Sequence, residues 1–179
     1  MLTIENSVLV VIDIQESLAR VMHGKDALFE SLQKIINGFK ILDIPMIVTE
    51  QVPEKPGATI PEISPLLDTV RPISKSSFSC CGVDRFMREL NDIKRGQILV
   101  AGIESHVCVY QTTDDLIRMG YDVYIVTDCI SSGTAENRAL GIERMKDEGA
   151  KPTSTEMALF ELLRTAGGDR FRKISRLVK

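Results

Sequence analysis

Runs that are apolar at nearly every position recur at Val8–Ile14, Pro45–Val48, Gln97–Gly102 and Asp122–Thr127. Continuous apolarity over so few residues marks strands buried on both faces, as in a parallel sheet. Between them apolar residues return every three or four positions, at Leu28, Leu32, Ile35, Ile36 and Phe39, and again at Phe86, Leu90 and Ile93. That is the spacing of one helix face. Further helices are predicted over about His106–Met119, Ala135–Glu148 and Thr155–Leu163, opened or closed by Ser, Thr or Gly. Short strands at Arg71–Ser74 and Ala150–Thr153 complete the alternation. With right-handed crossovers it predicts a three-layer α/β/α sandwich around a parallel sheet of about six strands. The stretch Glu50–Leu67, with Pro53, Pro56, Gly57, Pro61 and Pro65, predicts a long loop beside that sheet.

At 179 residues the chain is long enough for one core and short for two, so residues 1–179 are expected to form a single domain. Apolar residues make up 44% and charged residues 26%, which favours a folded protein over a disordered or membrane-embedded one. The net charge of -3 gives no reason to expect nucleic acid as a partner. One basic cluster, Arg170, Arg172, Lys173, Arg176 and Lys179, alternates with Phe171, Ile174 and Leu177 and reads as the solvated side of a terminal amphipathic helix. With no basic leader and no bilayer-length apolar run, a cytoplasmic protein without membrane contact is expected. The cysteines Cys80, Cys81, Cys108 and Cys129 contain no C-x-x-C pair, which suits a reducing compartment and argues against zinc.

Ligands of open parallel sheets bind beyond the carboxyl ends of the strands. Three reactive side chains fall there: Asp13 after VLVVI, Lys75 in RPISKSSF, and Cys108 where QILVAG turns into a helix through IESHVCV. A carboxylate and a lysine meeting in one crevice can pair, and a helix N-terminus with a nearby ammonium lowers a thiol pKa from its usual ~8.5. On that reading Cys108 is a nucleophile held as thiolate, Asp13 a proton carrier and Lys75 an electrostatic support. Each residue also has a plainer reading, as a packed cysteine, a chain-turning aspartate and an exposed lysine.

At these residues the chain resembles the isochorismatase-like, or cysteine hydrolase, family. The resemblance rests on Asp13-Ile14-Gln15, Lys75-Ser76-Ser77-Phe78-Ser79, Gly102-Ile103-Glu104-Ser105-His106-Val107-Cys108-Val109 and Thr127-Asp128, in that order along nearly the whole length. It implies a Rossmann-like sheet of order 3-2-1-4-5-6 and a catalytic triad of Asp13, Lys75 and Cys108. It further implies a cis peptide at Ile103–Glu104 and an oxyanion hole made by the backbone N–H groups of Glu104 and Cys108. The implied reaction is thiolate attack on a small amide-like carbonyl, release of ammonia or an amine, and hydrolysis of the thioester. Homo-oligomers are expected, since family members usually form them and the late helix is broadly apolar at Met157, Leu159, Phe160, Leu162 and Leu163.

Departures from the family pattern narrow the reading. The Asp-x-His metal motif of nicotinamidases is replaced by Thr49-Glu50-Gln51-Val52-Pro53, and His23 and His106 are the only histidines, so neither a metal nor another cofactor is expected. Leu18 stands where an aromatic usually follows the first motif. The segment Thr49-Glu50-Gln51 and the ending Phe171-Arg172-Lys173-Ile174 are similar to the subgroup called isochorismatase domain-containing proteins. Retaining Cys108 argues against isochorismate cleavage itself, which does not use the cysteine. Gln15, Gln51, Glu50 and Phe78 are candidates to line the substrate pocket, with loop support or core packing as alternatives, and Glu50 could instead pair with Lys75. His106 is expected to point away from Cys108. A catalytically silent member, acting as an oligomeric binding or assembly protein, is the competing function. A nucleotide-binding or phospho-receiver domain fares worse, because G-x-G-x-x-G, a P-loop and an acidic pair are all missing.

Overall fold

The computed structural model describes residues 1–52 and 54–179; Pro53, one of the prolines behind the loop reading, lies outside the described residues. The chain opens with strand β1 (Ser7–Ile12), a short helix α1 (Glu16–Ala19), the long helix α2 (Lys25–Ile41) and β2 (Met46–Gln51). Then come β3 (Ile73–Lys75), α3 (Asp84–Ile93), β4 (Gln97–Ile103), α4 (Tyr110–Arg118) and β5 (Asp122–Ser131). The chain closes with α5 (Ala135–Asp147), β6 (Lys151–Thr153), α6 (Thr155–Leu163) and α7 (Gly168–Leu177). The six strands are parallel in the order β3-β2-β1-β4-β5-β6, the sheet that the apolar runs and the family resemblance led us to expect.

Alternation along each strand divides the core in two. On β1, Leu9 and Val11 join α2, α6 and Ile174 of α7 on one face of the sheet. Val8, Val10 and Ile12 face the opposite layer, with Phe86 and Leu90 of α3, Leu116 of α4 and Met145 of α5. Both sets are buried, which is why the strand reads as one unbroken apolar run. The basic residues of α7 stand on its outer side, where Arg170 pairs with Asp43, and Arg172 and Lys173 pair with Asp169. No helix among the described residues is long and apolar enough to cross a membrane.

Three boundaries depart from expectation in ways that matter for the site. Glu50 and Gln51 belong to β2 and not to the loop, which itself contains a 3₁₀ turn at Ser64–Leu67 and an antiparallel bridge from Thr59 to Gln15. Lys75 is the last residue of β3, so its backbone is fixed by pairing with Gln51. The helix expected from His106 begins as a π turn, Ser105–Val109, in which the Val109 N–H donates to the Glu104 carbonyl at 3.2 Å. Such turns often mark functional sites.

Candidate active site

Asp13 leaves β1 with φ 55°, in the left-handed region that aspartate tolerates better than most residues. The turn throws its side chain under the sheet edge, where it is 0% exposed. Lys75 Nζ meets it there, 2.6 Å from Asp13 Oδ2. The ammonium directs its hydrogen bonds elsewhere, to Gln51 Oε1 at 2.5 Å, the Ser77 carbonyl at 3.2 Å and the Phe78 carbonyl at 3.1 Å. Asp13 Oδ1 accepts from the Thr49 hydroxyl at 2.8 Å. Oδ2 is held by the ammonium beside it, and the carboxylate also stands within hydrogen-bonding reach of the Cys108 thiol.

Cys108 completes the cluster from the π turn, 7% exposed, with its sulfur 4.0 Å from Gln51 Oε1. Its thiol is pushed up to about 12, first by burial and then by the charge of Asp13 beside it, with Lys75 acting weakly in the other direction. This corrects the expectation of a thiolate held by a helix end and an ammonium. Burial outweighs the lowering influence of Lys75, whose charge is shared with Asp13. Burial and the neighbouring carboxylate favour the thiol form of Cys108.

Two glycines let the turn approach so closely. Gly102, the last residue but one of β4, has φ 134°, and a Cβ there would lie 2.2 Å from the Ile12 carbonyl oxygen. The Ile103–Glu104 peptide that follows is cis. A Cβ on Gly141 of α5 would lie 2.3 Å from Ser105 Oγ and 2.8 Å from the His106 nitrogen. Gly141→Ala is expected to cost about 1–3 kcal/mol by overpacking and to shift the turn carrying Cys108. Urea unfolding, together with a change in the Cys108 labelling rate, checks it; wild-type values for both would show that α5 yields without strain.

The candidate pocket residues divide. Gln51 stands in the cluster, donating through Nε2 to the Ser76 carbonyl at 3.1 Å while its oxygen faces Lys75 and Cys108. Gln15 is committed to backbone. Its amide donates to the carbonyls of Gln51 and Gly57 and accepts from the Gln51 N–H at 2.6 Å, so it ties the end of β2 to the loop. Glu50 neither pairs with Lys75 nor reaches Cys108. Strand alternation turns it to the far side of β2, where it accepts from the Thr59 N–H and hydroxyl, both at 2.7 Å. There it borders a cavity with Ala58, Leu67 and Val70. The Phe78 ring is neither core nor a buried wall; it is 54% exposed, while its carbonyl holds Lys75. His106 pairs with Ser132 Oγ at 3.0 Å, away from Cys108. Sequence reading passed over Thr49 as a site residue, although period-2 alternation places it on the same face as Gln51. All four cysteines are free.

Residues 7–157 match the Isochorismatase domain family. The secreted isochorismatase effector Isc1 of Phytophthora sojae is 38% identical, over 97% of this chain and 85% of that protein. Isochorismatase domain-containing protein 2A of Mus musculus is 31% identical, over 98% of this chain and 84% of that protein. Among solved structures, MAR1 ribonuclease from Caenorhabditis elegans superposes with a TM-score of 0.93 at 31% identity, covering 99% of this chain and 91% of that one.

Proposed function

The chain belongs to the isochorismatase family of hydrolases, and from that premise we propose that it is a metal-free cysteine hydrolase acting on a small amide-like substrate. One observation carries the reading: the buried carboxylate of Asp13 stands against both the ammonium of Lys75 and the thiol of Cys108. A carboxylate so placed is a ready acceptor for the thiol proton.

The catalytic cycle follows from the resting protonation states. Because Cys108 rests as a thiol, its proton passes to Asp13 as the sulfur attacks the carbonyl carbon. The negative charge moves to the carbonyl oxygen, which we assign to the backbone N–H groups of Glu104 and Cys108; one such donor is typically worth ~2.7–4 kcal/mol in the transition state. Collapse breaks the C–N bond, and Asp13 returns its proton to the departing nitrogen. Asp13 then takes a proton from water, whose oxygen attacks the thioester and frees the acid, and the thiol is restored. Lys75 stays paired with Asp13 and is not itself consumed. Gln51, 4.0 Å from the sulfur, is the side chain we assign to substrate contact.

The four unpaired cysteines suit a cytoplasmic setting, and the family habit supports a homo-oligomer. The Caenorhabditis relative is called a ribonuclease; on this chain the buried thiol suits an acyl carbon better than a phosphodiester. The test is a panel of small amides, carbamates and ureides, with an RNA oligomer beside them, followed by product analysis and intact mass. We expect turnover or a Cys108 acyl adduct on at least one carbonyl compound, reduced about 10³-fold or more in Cys108→Ala. Neither turnover nor adduct on any member would favour the silent binding protein. Cleavage of RNA alone would replace the acyl reading.

A further inference from the structure

Asp13 is gripped twice by one residue. Its backbone N–H donates to the Thr49 carbonyl at 3.1 Å, and its Oδ1 accepts from the Thr49 hydroxyl at 2.8 Å. Thr49 is 1% exposed, and the parallel register sets it beside Ile12, the last residue of β1. The hydroxyl, having given its proton to Asp13, accepts from Cys80 Sγ at 3.7 Å. Cys80 is fixed in turn by its backbone N–H, which donates to Thr112 Oγ1 at 3.0 Å. The donors run in one direction, from Cys80 through Thr49 to Asp13.

We propose that Thr49 is a positioning residue for the reaction, orienting Asp13 so that Oδ1 is occupied and Oδ2 alone is left to exchange a proton with Cys108. The inference rests on the reading of Asp13 as proton carrier. Without the hydroxyl, Oδ1 would be buried with no donor, a cost that rotation of the carboxylate toward Lys75 relieves. Rotation would bring both oxygens against the ammonium and leave the thiol without its acceptor. The titratable groups facing Asp13 are Lys75 on β3, Cys108 on the π turn and, through Thr49, Cys80. Cys80 is pushed up to about 11 by burial and stays neutral at ordinary pH.

The test is the pH profile for acylation of Cys108 by p-nitrophenyl acetate, read by nitrophenolate release and intact mass. It is measured on wild type, Thr49→Val, Thr49→Ala and Thr49→Ser, with Asp13→Asn as reference. A hydrogen bond donated to a carboxylate favours its charged form. Losing the bond should therefore move the acid limb of the profile to higher pH, by about half a unit to one unit. We expect that shift in the Val and Ala variants and a wild-type limb in Ser, so that the limb follows the hydroxyl and not the volume. Ala against Ser gives the same comparison should Val fail to fold. A limb unmoved in Val and Ala, or moved equally in Ser, overturns the role of Thr49. A wild-type limb that survives unmoved in Asp13→Asn overturns the proton-carrier reading beneath it.

Discussion

Replacing Lys75 by methionine is expected to remove about 3–5 kcal/mol of folding stability, the usual consequence of orphaning one member of a buried ion pair. Both side chains are fully buried, so water cannot take the place of the lost partner. The loss has two sources that a double variant separates. Methionine strands the charge of Asp13, and it also strands Gln51 Oε1 and the carbonyls of Ser77 and Phe78, which Lys75 holds. Adding Asp13→Asn removes the first source and leaves the second. Denaturant unfolding should therefore show the double variant more stable than Lys75→Met alone, with a coupling energy of about 1–3 kcal/mol. Equal stability of the two would mean that Lys75 acts as a loop latch and that its pairing with Asp13 is incidental.

The hydrogen bonds of Lys75 to Gln51, Ser77 and Phe78 are not legible in the sequence, and the reason is general. Strand identity was legible because β1 and β4 are buried on both faces, so composition alone records their environment. The convergence of Asp13, Lys75 and Cys108 was legible because a parallel sheet delivers strand ends to one edge. What a side chain does there depends on partners far away along the chain. Gln15 is committed to Gln51 and Gly57 because the proline-rich loop folds back across α1, a path that no periodicity encodes. Glu50 and Gln51 are neighbours in sequence and face opposite sides of β2, so once the strand extends through both, only one of them can reach Cys108. The state of the thiol was missed for a different reason. The influences that lower it, a helix end and a lysine, can be inferred from sequence, whereas the burial that raises it exists only after packing.

Asp13→Asn is expected to move the two reactivities of Cys108 in opposite directions. Hydrolysis should fall by about 10²–10⁴-fold, because asparagine can neither take the thiol proton nor return it to the leaving nitrogen. Alkylation by iodoacetamide, which needs only a thiolate, should become faster at pH 8. In the wild type the thiol is pushed up to about 12, with burial the largest cause and the carboxylate of Asp13 the next. At pH 8 the thiolate is therefore a minor form. Neutralising Asp13 removes a cause that raises the thiol and leaves Lys75, which lowers it, without its counter-charge. The ammonium keeps its three oxygen acceptors and its charge, and it becomes the partner of the sulfur. The thiolate fraction therefore rises while the proton route is lost. Iodoacetamide kinetics on Cys108, read by peptide mass beside turnover of the best carbonyl compound, measure both effects on one sample. If both rates fall together, Asp13 serves chiefly to shape the site. If both are unchanged, the buried carboxylate has no part in the chemistry of the sulfur. Divergence alone fits a carboxylate that holds the nucleophile protonated until a carbonyl arrives to receive it.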